Sequence, residues 1–421
     1  MKTTPLFIGA LLISLLATSL SSRADNPVLF WNNEAINITR LSRNPAPVAG
    51  VHLATFNVAV YDTVNSFDRK HEAWLVDKPA PRGANRDAAI AATAHTVLMA
   101  IWGNEVNPRY IENAYNKALS GVPEGKAKQK GIEWGKKVAA QILERRSHSG
   151  MDLPLEGTYS SEEPGKWRET PLGFRPPVAP RLGEVEPFAL ESASQFRAPP
   201  HPPLNSMQYA DELKFVNQVG IRDGADRSEY QTLSTPFWSD DLGTSTPPGH
   251  WNVILSGILK DLGMDQDVAR TAHAFALLNI AGADAGMTAW ETKYHYNIWR
   301  PETAIREMGK AMNPHHEQNP DFIPNMESPA FPTYTSGHSC YTAAMTRMIE
   351  HIIGRNEIEF TAISDGLPGV VRTYTSLSDA RWEVGMSRVW GGIHTMSDNI
   401  EGQKAGIAVA DWIHENALRP R

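Results

Sequence analysis

A single cysteine, Cys340, is the only thiol in this chain of 421 residues, which excludes an internal disulfide and leaves stability to an extensive core or to assembly as a homo-oligomer. Acidic side chains outnumber basic ones, for a formal net charge of −7, and Lys and Arg nowhere gather into a tract. A general nucleic-acid binder is thereby excluded, and any bound anion must be held by a few converging cations rather than by the overall field. After the N-terminal segment, no stretch approaches the ~18 consecutive apolar residues that read as a membrane span. Repeats of fixed period and low-complexity segments are absent, and few alternating runs reach strand length.

The opening, MKTTPLFIGALLISLLATSLSSRADNP, sets Lys2 before an apolar run from Leu6 to Leu16 and closes on Ser22-Arg23-Ala24. A short apolar run followed by small residues matches a cleaved export signal covering residues 1–24, so the expected mature protein is soluble and either periplasmic or secreted. Apolar residues then recur at spacings of three and four in Val51 to Val64, Ala88 to Trp102, Ile132 to Leu143, Trp251 to Leu262, Val268 to Leu278, Cys340 to Ile353 and Ile400 to Leu418. That period predicts helices and an all-α fold. The middle loses it: "RPPVAPRLGEVEP" and "APPHPPL" make residues 150–235 a Pro-rich connection between an N-terminal helical half, 25–149, and a C-terminal half, 236–421. Trp167, Phe174, Phe188 and Phe196 predict that this connection packs on the rest rather than hanging free.

Chemistry concentrates in three stretches of the C-terminal half. In "ETKYHYNIWRPETAI", Lys293 precedes Arg300 by seven residues, almost two helical turns, so on one helix both heads would lean over the same face; Trp290, Tyr294, Tyr296 and Trp299 around them predict cations held inward against an anion or ring faces. In "FPTYTSGHSCYTAAM", Pro332 and the Thr333-Tyr334-Thr335 run delay the helix, which puts Ser336, Gly337 and His338 at a helix start. Free N–H groups and the positive end of the dipole meet there, and a glycine admits an oxyanion to the main chain. Taken alone, Ser336 is equally well read as an ordinary N-cap. In "SRVWGGIHTMSDN", Gly391-Gly392 should end one helix and start another, turning Arg388 back toward His394, with Asp398 one turn further on to accept a hydrogen bond from the imidazole or pair with a cation. Three cations make this a poor Zn²⁺ site and a good one for a tetrahedral oxyanion, since Arg binds such ions through two parallel hydrogen bonds.

The ordered set K-x6-R-P, S-G-H and S-R-x5-H-x3-D resembles the signature shared by the vanadium-dependent haloperoxidases and the type 2 phosphatidic acid phosphatases, and its surroundings from about Phe237 to Asp398 look most like bacterial haloperoxidases. The resemblance implies two four-helix bundles and a vanadate cofactor in a site that phosphate can also occupy. It implies that Lys293, Arg300, Ser336, Gly337 and Arg388 bind the oxyanion's oxygens, that His394 binds vanadium, and that His338 is the acid/base. H2O2 would be activated there, with Lys293 polarising the peroxide, and would oxidise a halide to hypohalous acid that halogenates small organic acceptors. Asp241, or equally Asp240, in "FWSDDLGTSTPPGHW" matches an acid that pairs with the second arginine of the family, and Phe331 and Trp290 stand where chloride-oxidising relatives carry aromatics. Thr335 replaces a proline frequent before Ser-Gly-His, which predicts a looser loop there. The alternatives are an exported acid phosphatase forming a phosphohistidine in the same pocket, and a non-catalytic oxyanion binder.

Overall fold

The structure is a computed structural model and describes residues 26–151, 153–154 and 157–421; the export-signal segment lies outside them. Five helices build the first half: α1 (Pro27–Ser42), α2 (Ala46–Asp68), α3 (Arg86–Trp102), α4 (Pro108–Ser120) and α5 (Lys126–Ser147). Asn26, Asn85 and Asn107 start three of them by accepting a hydrogen bond from a backbone N–H of the first turn, and α1, α2 and α4 carry proline at the helix start, where no N–H is needed. The second half adds α6 (Met207–Val219), α7 (Glu229–Phe237), α8 (Thr246–Asp261), α9 (Val268–Tyr296), α10 (Pro301–Glu307), α11 (Gly337–Ile353), α12 (Leu377–Trp390) and α13 (Met396–Asn416). Helices α2, α3 and α5 pack together, α9, α11, α12 and α13 pack together, and α2 lies against α9, so one apolar core runs through both groups. The mainly helical expectation stands. Each of the periodic windows falls largely within a helix.

Two features depart from the sequence reading. A hairpin of β1 (Glu357–Ile363) and β2 (Val371–Ser376) is inserted between α11 and α12, burying Ile358, Phe360 and Ala362 against Tyr374 and its neighbours in strict alternation. The alternation was short and flanked by helix-forming sequence, so it carried little signal on its own. Within 150–235 the chain forms α6 and most of α7, so that interval is not structureless. Trp167 and Phe188 are buried and Phe196 rests against Trp412, but Phe174 is 63% exposed and does not anchor the connection.

Buried carboxylates fasten the irregular segments to the helices. Asp62 on α2 accepts hydrogen bonds from the backbone N–H groups of Trp74, Leu75 and Val76, and Asp284 on α9 accepts those of Phe188, Ala189 and Leu190. Three N–H donors converging on one carboxylate satisfy polar backbone that would otherwise be buried unpaired. Desolvation still dominates at Asp284, pushing its pKa up to about 6. The second anchor matters for the site, because the segment it holds also supplies the Val178 carbonyl that accepts the Trp290 indole N–H.

Helix α13 approaches α11 at its glycines. A β-carbon at Gly406 would lie 2.2 Å from the Cys340 carbonyl oxygen, and one at Gly402 would lie 2.9 Å from that of Ser336. Backbone cannot rotate away as a side chain can. Gly406→Ala is therefore expected to destabilise the protein by about 1–3 kcal/mol, the usual cost of overpacking, read as a lower urea midpoint with unchanged slope. An unchanged midpoint would show that the two helices are not in backbone contact.

Candidate active site

Lys293, Arg300 and Arg388 come together in the interior, each at most 2% exposed. They do not share a helix. Helix α9 ends at Tyr296, Asn297 takes the left-handed conformation, and Arg300 is the extended residue that caps α10, so the expectation of two cations stacked on one helical face is corrected. Convergence is achieved instead on a ring: the Lys293 ammonium lies 5.0 Å and the Arg300 guanidinium carbon 4.8 Å from the centre of Phe331. Main-chain oxygens hold the heads. Lys293 Nζ donates to the carbonyls of Pro332 and Thr333 at 2.8 and 2.9 Å, Arg300 donates to those of Phe331 and Ile393 at 2.7 and 3.0 Å, and Arg388 reaches the Trp238 carbonyl at 3.4 Å.

None of the three pairs with a carboxylate among the described residues, and Arg300 Nη2 and Arg388 Nε are buried without a hydrogen-bond partner. Burial lowers all three pKa values: Lys293 falls well below its ordinary value with Arg300 adding repulsion, Arg300 falls to about 9, and Arg388 falls to about 10 although Asp240 and Asp241 counter the loss. Cations desolvated this way are costly unless an anion completes them.

His394 precedes α13 and is oriented by its first turn. Thr395 and Asp398 form a capping box, and the same carboxyl oxygen, Asp398 Oδ2, lies 2.9 Å from His394 Nδ1 and accepts the Thr333 hydroxyl at 2.6 Å. Because that oxygen can only accept, the imidazole carries its proton on Nδ1, and its Nε2 lone pair accepts a hydrogen bond from Arg300 Nη1 at 3.3 Å. Burial and the neighbouring cations keep His394 neutral, while the bonds to His394 and Thr333 keep Asp398 ionised despite its own burial.

Ser336 is the N-cap of α11, as its place after the Thr-rich run suggested, and its hydroxyl accepts the Ser339 N–H. The first-turn N–H groups of Gly337 and His338 have no carbonyl four residues earlier within the helix. A β-carbon at Gly337 would lie 3.1 Å from the Trp290 ring, so a side chain there would require that ring to give way by a few tenths of an ångström. His338 Nε2 donates to the Ser239 carbonyl at 3.1 Å, which leaves Nδ1 as the acceptor on a half-buried ring; burial and Arg388 hold its pKa well below 6.5. Thr335 is fully buried and its neighbour Tyr334 donates to the Pro199 carbonyl, so the predicted loosening of this loop does not occur.

A cavity of about 310 Å³ opens onto His338, Arg388, His394 and Gly337, with Trp290 and Phe331 on one wall and Pro45, Ala46 and Pro47 from the start of α2 on another. Asp241 does not pair with Arg388: it is exposed at the cavity edge and accepts the Leu242 N–H. Asp240 is the buried acid, and it binds His250. Sequence reasoning missed Thr333, Ser239 and His250; only the last had a signal, as a histidine within the quoted "PPGHW". Arg388, Gly337, His338 and His394 line this cavity, whereas Lys293 and Arg300 do not line it and stand against Phe331, which does; the donor set could hold vanadate or phosphate, with Arg300, Arg388, Lys293, Ser336 and Gly337 toward oxygen and His394 Nε2 as the ligand atom.

Residues 273–420, which contain every one of those groups, match the family model described as VCPO second helical-bundle domain. That part of the chain is thus similar to the second helical bundle of the vanadium chloroperoxidases. It is 24% identical to the vanadium chloroperoxidase of Curvularia inaequalis over 89% of this chain and 79% of that protein. Its fold superposes on a bacterial vanadium-dependent iodoperoxidase with a TM-score of 0.80 at 24% identity, covering 94% of this chain and 98% of the other. The apo form of a bacterial vanadium-dependent chloroperoxidase gives 0.68 at 15% identity over 88% and 92%. No helix among the described residues is long and apolar enough to cross a membrane.

Neutral buried imidazoles make the anion-free protein acid-sensitive. His52 and His273 are depressed to about 4, and His338 and His394 also lie below 6.5, in each case chiefly by burial. Groups with depressed folded pKa values contribute stability that is present above the unfolded value and lost as pH falls through the folded one. Thermal midpoints should therefore hold above pH 6.5 and fall steadily from there toward pH 4, and less steeply in His394→Gln. A flat midpoint over that window would contradict the buried neutral assignment.

Proposed function

We propose that the protein is a vanadate-dependent haloperoxidase that oxidises a halide with H2O2 to hypohalous acid, which halogenates small organic acceptors. The observation that carries this reading is the set of three buried cations, without carboxylate partners among the described residues, about the unprotonated Nε2 of His394. Support also comes from the relatives, which are named as chloroperoxidases and an iodoperoxidase and which align over most of their own length.

When bound, vanadate supplies a Lewis-acidic centre that activates peroxide for oxygen transfer without changing its own oxidation state. The chain's own part is positional and electrostatic. Arg300 and Arg388 neutralise the oxyanion's charge and fix its orientation through their free N–H groups, and the α11 N-terminus adds main-chain donors from Gly337 and His338. His394 would hold the group through its Nε2 lone pair, and Asp398 at Nδ1 makes that nitrogen more electron-rich. His338, neutral with its proton fixed on Nε2 by Ser239, accepts a proton from H2O2 at Nδ1 and later returns it. Lys293, held beside Phe331 by the Pro332 and Thr333 carbonyls, would be the cation that draws charge from a bound peroxide. Trp290 and Phe331, with ring centres 4.9 Å apart, give halide an apolar wall beside these groups, which strips part of its hydration shell. The export signal in residues 1–24 belongs to the same reading, placing the enzyme outside the cytoplasm.

Purified protein freed of oxyanions should halogenate a phenolic dye with H2O2 and iodide, bromide or chloride only after orthovanadate is added. His394→Ala should lose vanadate retention, whereas His338→Ala should keep it and lose about 10²- to 10⁴-fold in turnover, the usual contribution of a positioned acid/base. Phosphate-ester hydrolysis inhibited by vanadate, with no halogenation, would replace the haloperoxidase reading by that of an acid phosphatase.

A further inference from the structure

The cavity wall carries a group that the chemistry proposed for this site attacks. Met326 is the one methionine, among the described residues, that lines the cavity, and its Sδ accepts a hydrogen bond from Arg388 Nη2 at 2.9 Å. Arg388 has few other partners: the Trp238 carbonyl stands 3.4 Å from Nη1, and Nε is buried without one. A thioether is a weak acceptor, so this contact occupies a donor of the oxyanion site without competing strongly for it.

Backbone contacts fix the sulfur in place. Pro324 bridges to Ile221, the Asn325 N–H donates to the Gly220 carbonyl, and the Met326 N–H donates to the Gly391 carbonyl at 2.9 Å, in the turn between α12 and α13 that leads to His394. The next residue, Glu327, pairs with Arg175 at 3.3 Å. Met326 is half-buried, so its side chain is reached through the cavity. The only thiol is not: Cys340 is fully buried, donates to the Ala285 carbonyl on α9, and does not line the cavity. Met207, at the start of α6, offers the opposite case, a thioether 59% exposed and outside the cavity.

Resting on the haloperoxidase reading above, we propose that Met326 is the site at which hypohalous acid made in the cavity modifies the enzyme, and that the resulting sulfoxide takes the Arg388 donor from the oxyanion. The sulfur lone pair attacks the halogen and displaces hydroxide. Water then adds to sulfur, halide leaves with the electron pair of the sulfur–halogen bond, and two protons are released, one of which neutralises the hydroxide. In sum, thioether and hypohalous acid give sulfoxide, halide and one proton; sulfur loses two electrons and the halogen gains them. The new oxygen is a stronger acceptor than the sulfur, and it is carried on an atom already 2.9 Å from Arg388 Nη2. Its hydrogen bond to the guanidinium is charge-assisted and must be broken before an oxyanion can use that donor. Turnover thereby lowers the enzyme's own affinity for its anion.

The test runs the full-length protein, loaded with orthovanadate, with H2O2 and the halide that supports halogenation, then follows its methionine peptides by mass spectrometry. Met326 should gain one oxygen atom before Met207 does, and should gain none when halide is omitted. After removal of vanadate, calorimetric titration of the oxidised protein with orthovanadate, and separately with inorganic phosphate, should show affinities about tenfold or more below those of untreated protein, the scale of one hydrogen bond to a charged group. Met326→Leu, which has no acceptor, should keep its affinity through the same treatment, and Met326→Gln, which sets a carbonyl oxygen at similar reach, should be weakened without it. Oxidation of Met207 ahead of Met326, equal oxidation without halide, unchanged affinity in the oxidised protein or in Met326→Gln, or an equal loss in treated Met326→Leu overturns the proposal while leaving the haloperoxidase reading intact. The arms on unsubstituted protein decide the matter even where a variant does not fold. Absence of halogenation with every halide overturns the haloperoxidase reading and this inference with it.

Discussion

Three cations are buried about one site and, among the described residues, none is paired with a carboxylate; the rest of the architecture answers that constraint. A lysine or arginine taken out of water needs its donors satisfied. Here main-chain carbonyls do most of it: Pro332 and Thr333 for Lys293, Phe331 and Ile393 for Arg300, and Trp238 for Arg388. Carbonyls are free to do this only outside regular helix, so the site must sit where helices end. The breaks after α9, before α11 and between α12 and α13 are therefore part of the binding chemistry, and Asp284 and the Gly406 contact matter because they hold those ends in register.

The two histidines are neutral and proton-fixed in opposite senses. Asp398 takes the Nδ1 proton of His394 and leaves Nε2 as an electron-pair donor, whereas Ser239 takes the Nε2 proton of His338 and leaves Nδ1 as an acceptor. An identical side chain thus serves as ligand in one place and proton carrier in the other, because the hydrogen-bond acceptor behind each ring differs. Acidic groups follow the same logic. Asp398 stays ionised behind a histidine, and Asp240 is hydrogen-bonded to another, so both acids are engaged by imidazoles rather than by the three cations.

Much of this was legible in the chain. Helical period located the long elements, and Gly391-Gly392 foretold the break between α12 and α13. Ser336 at a helix start followed from the Pro-Thr run before it. Other parts were not legible. Lys293 and Arg300 meet through a helix break at Asn297, which a purely helical count of seven residues does not reveal. Asp240 and Asp241 are neighbours of the same type, and only burial distinguishes the one in the wall from the one in solvent. Thr333 gave no signal because its role is a hydrogen bond to a residue 65 positions away.

Sequence by itself determined the inventory: helices by their period, an oxyanion-seeking set of Lys, Arg, Ser-Gly-His and His-Asp by residue type and order, and the absence of disulfides from one cysteine. Those properties are local, since each depends on residues within a few turns of one another. Tertiary structure alone decided which charges lack partners, which nitrogen of each imidazole is unprotonated, and where α8 sets His250 against Asp240. Desolvation and hydrogen bonding between distant segments fix those outcomes, and both exist only once the helices have packed.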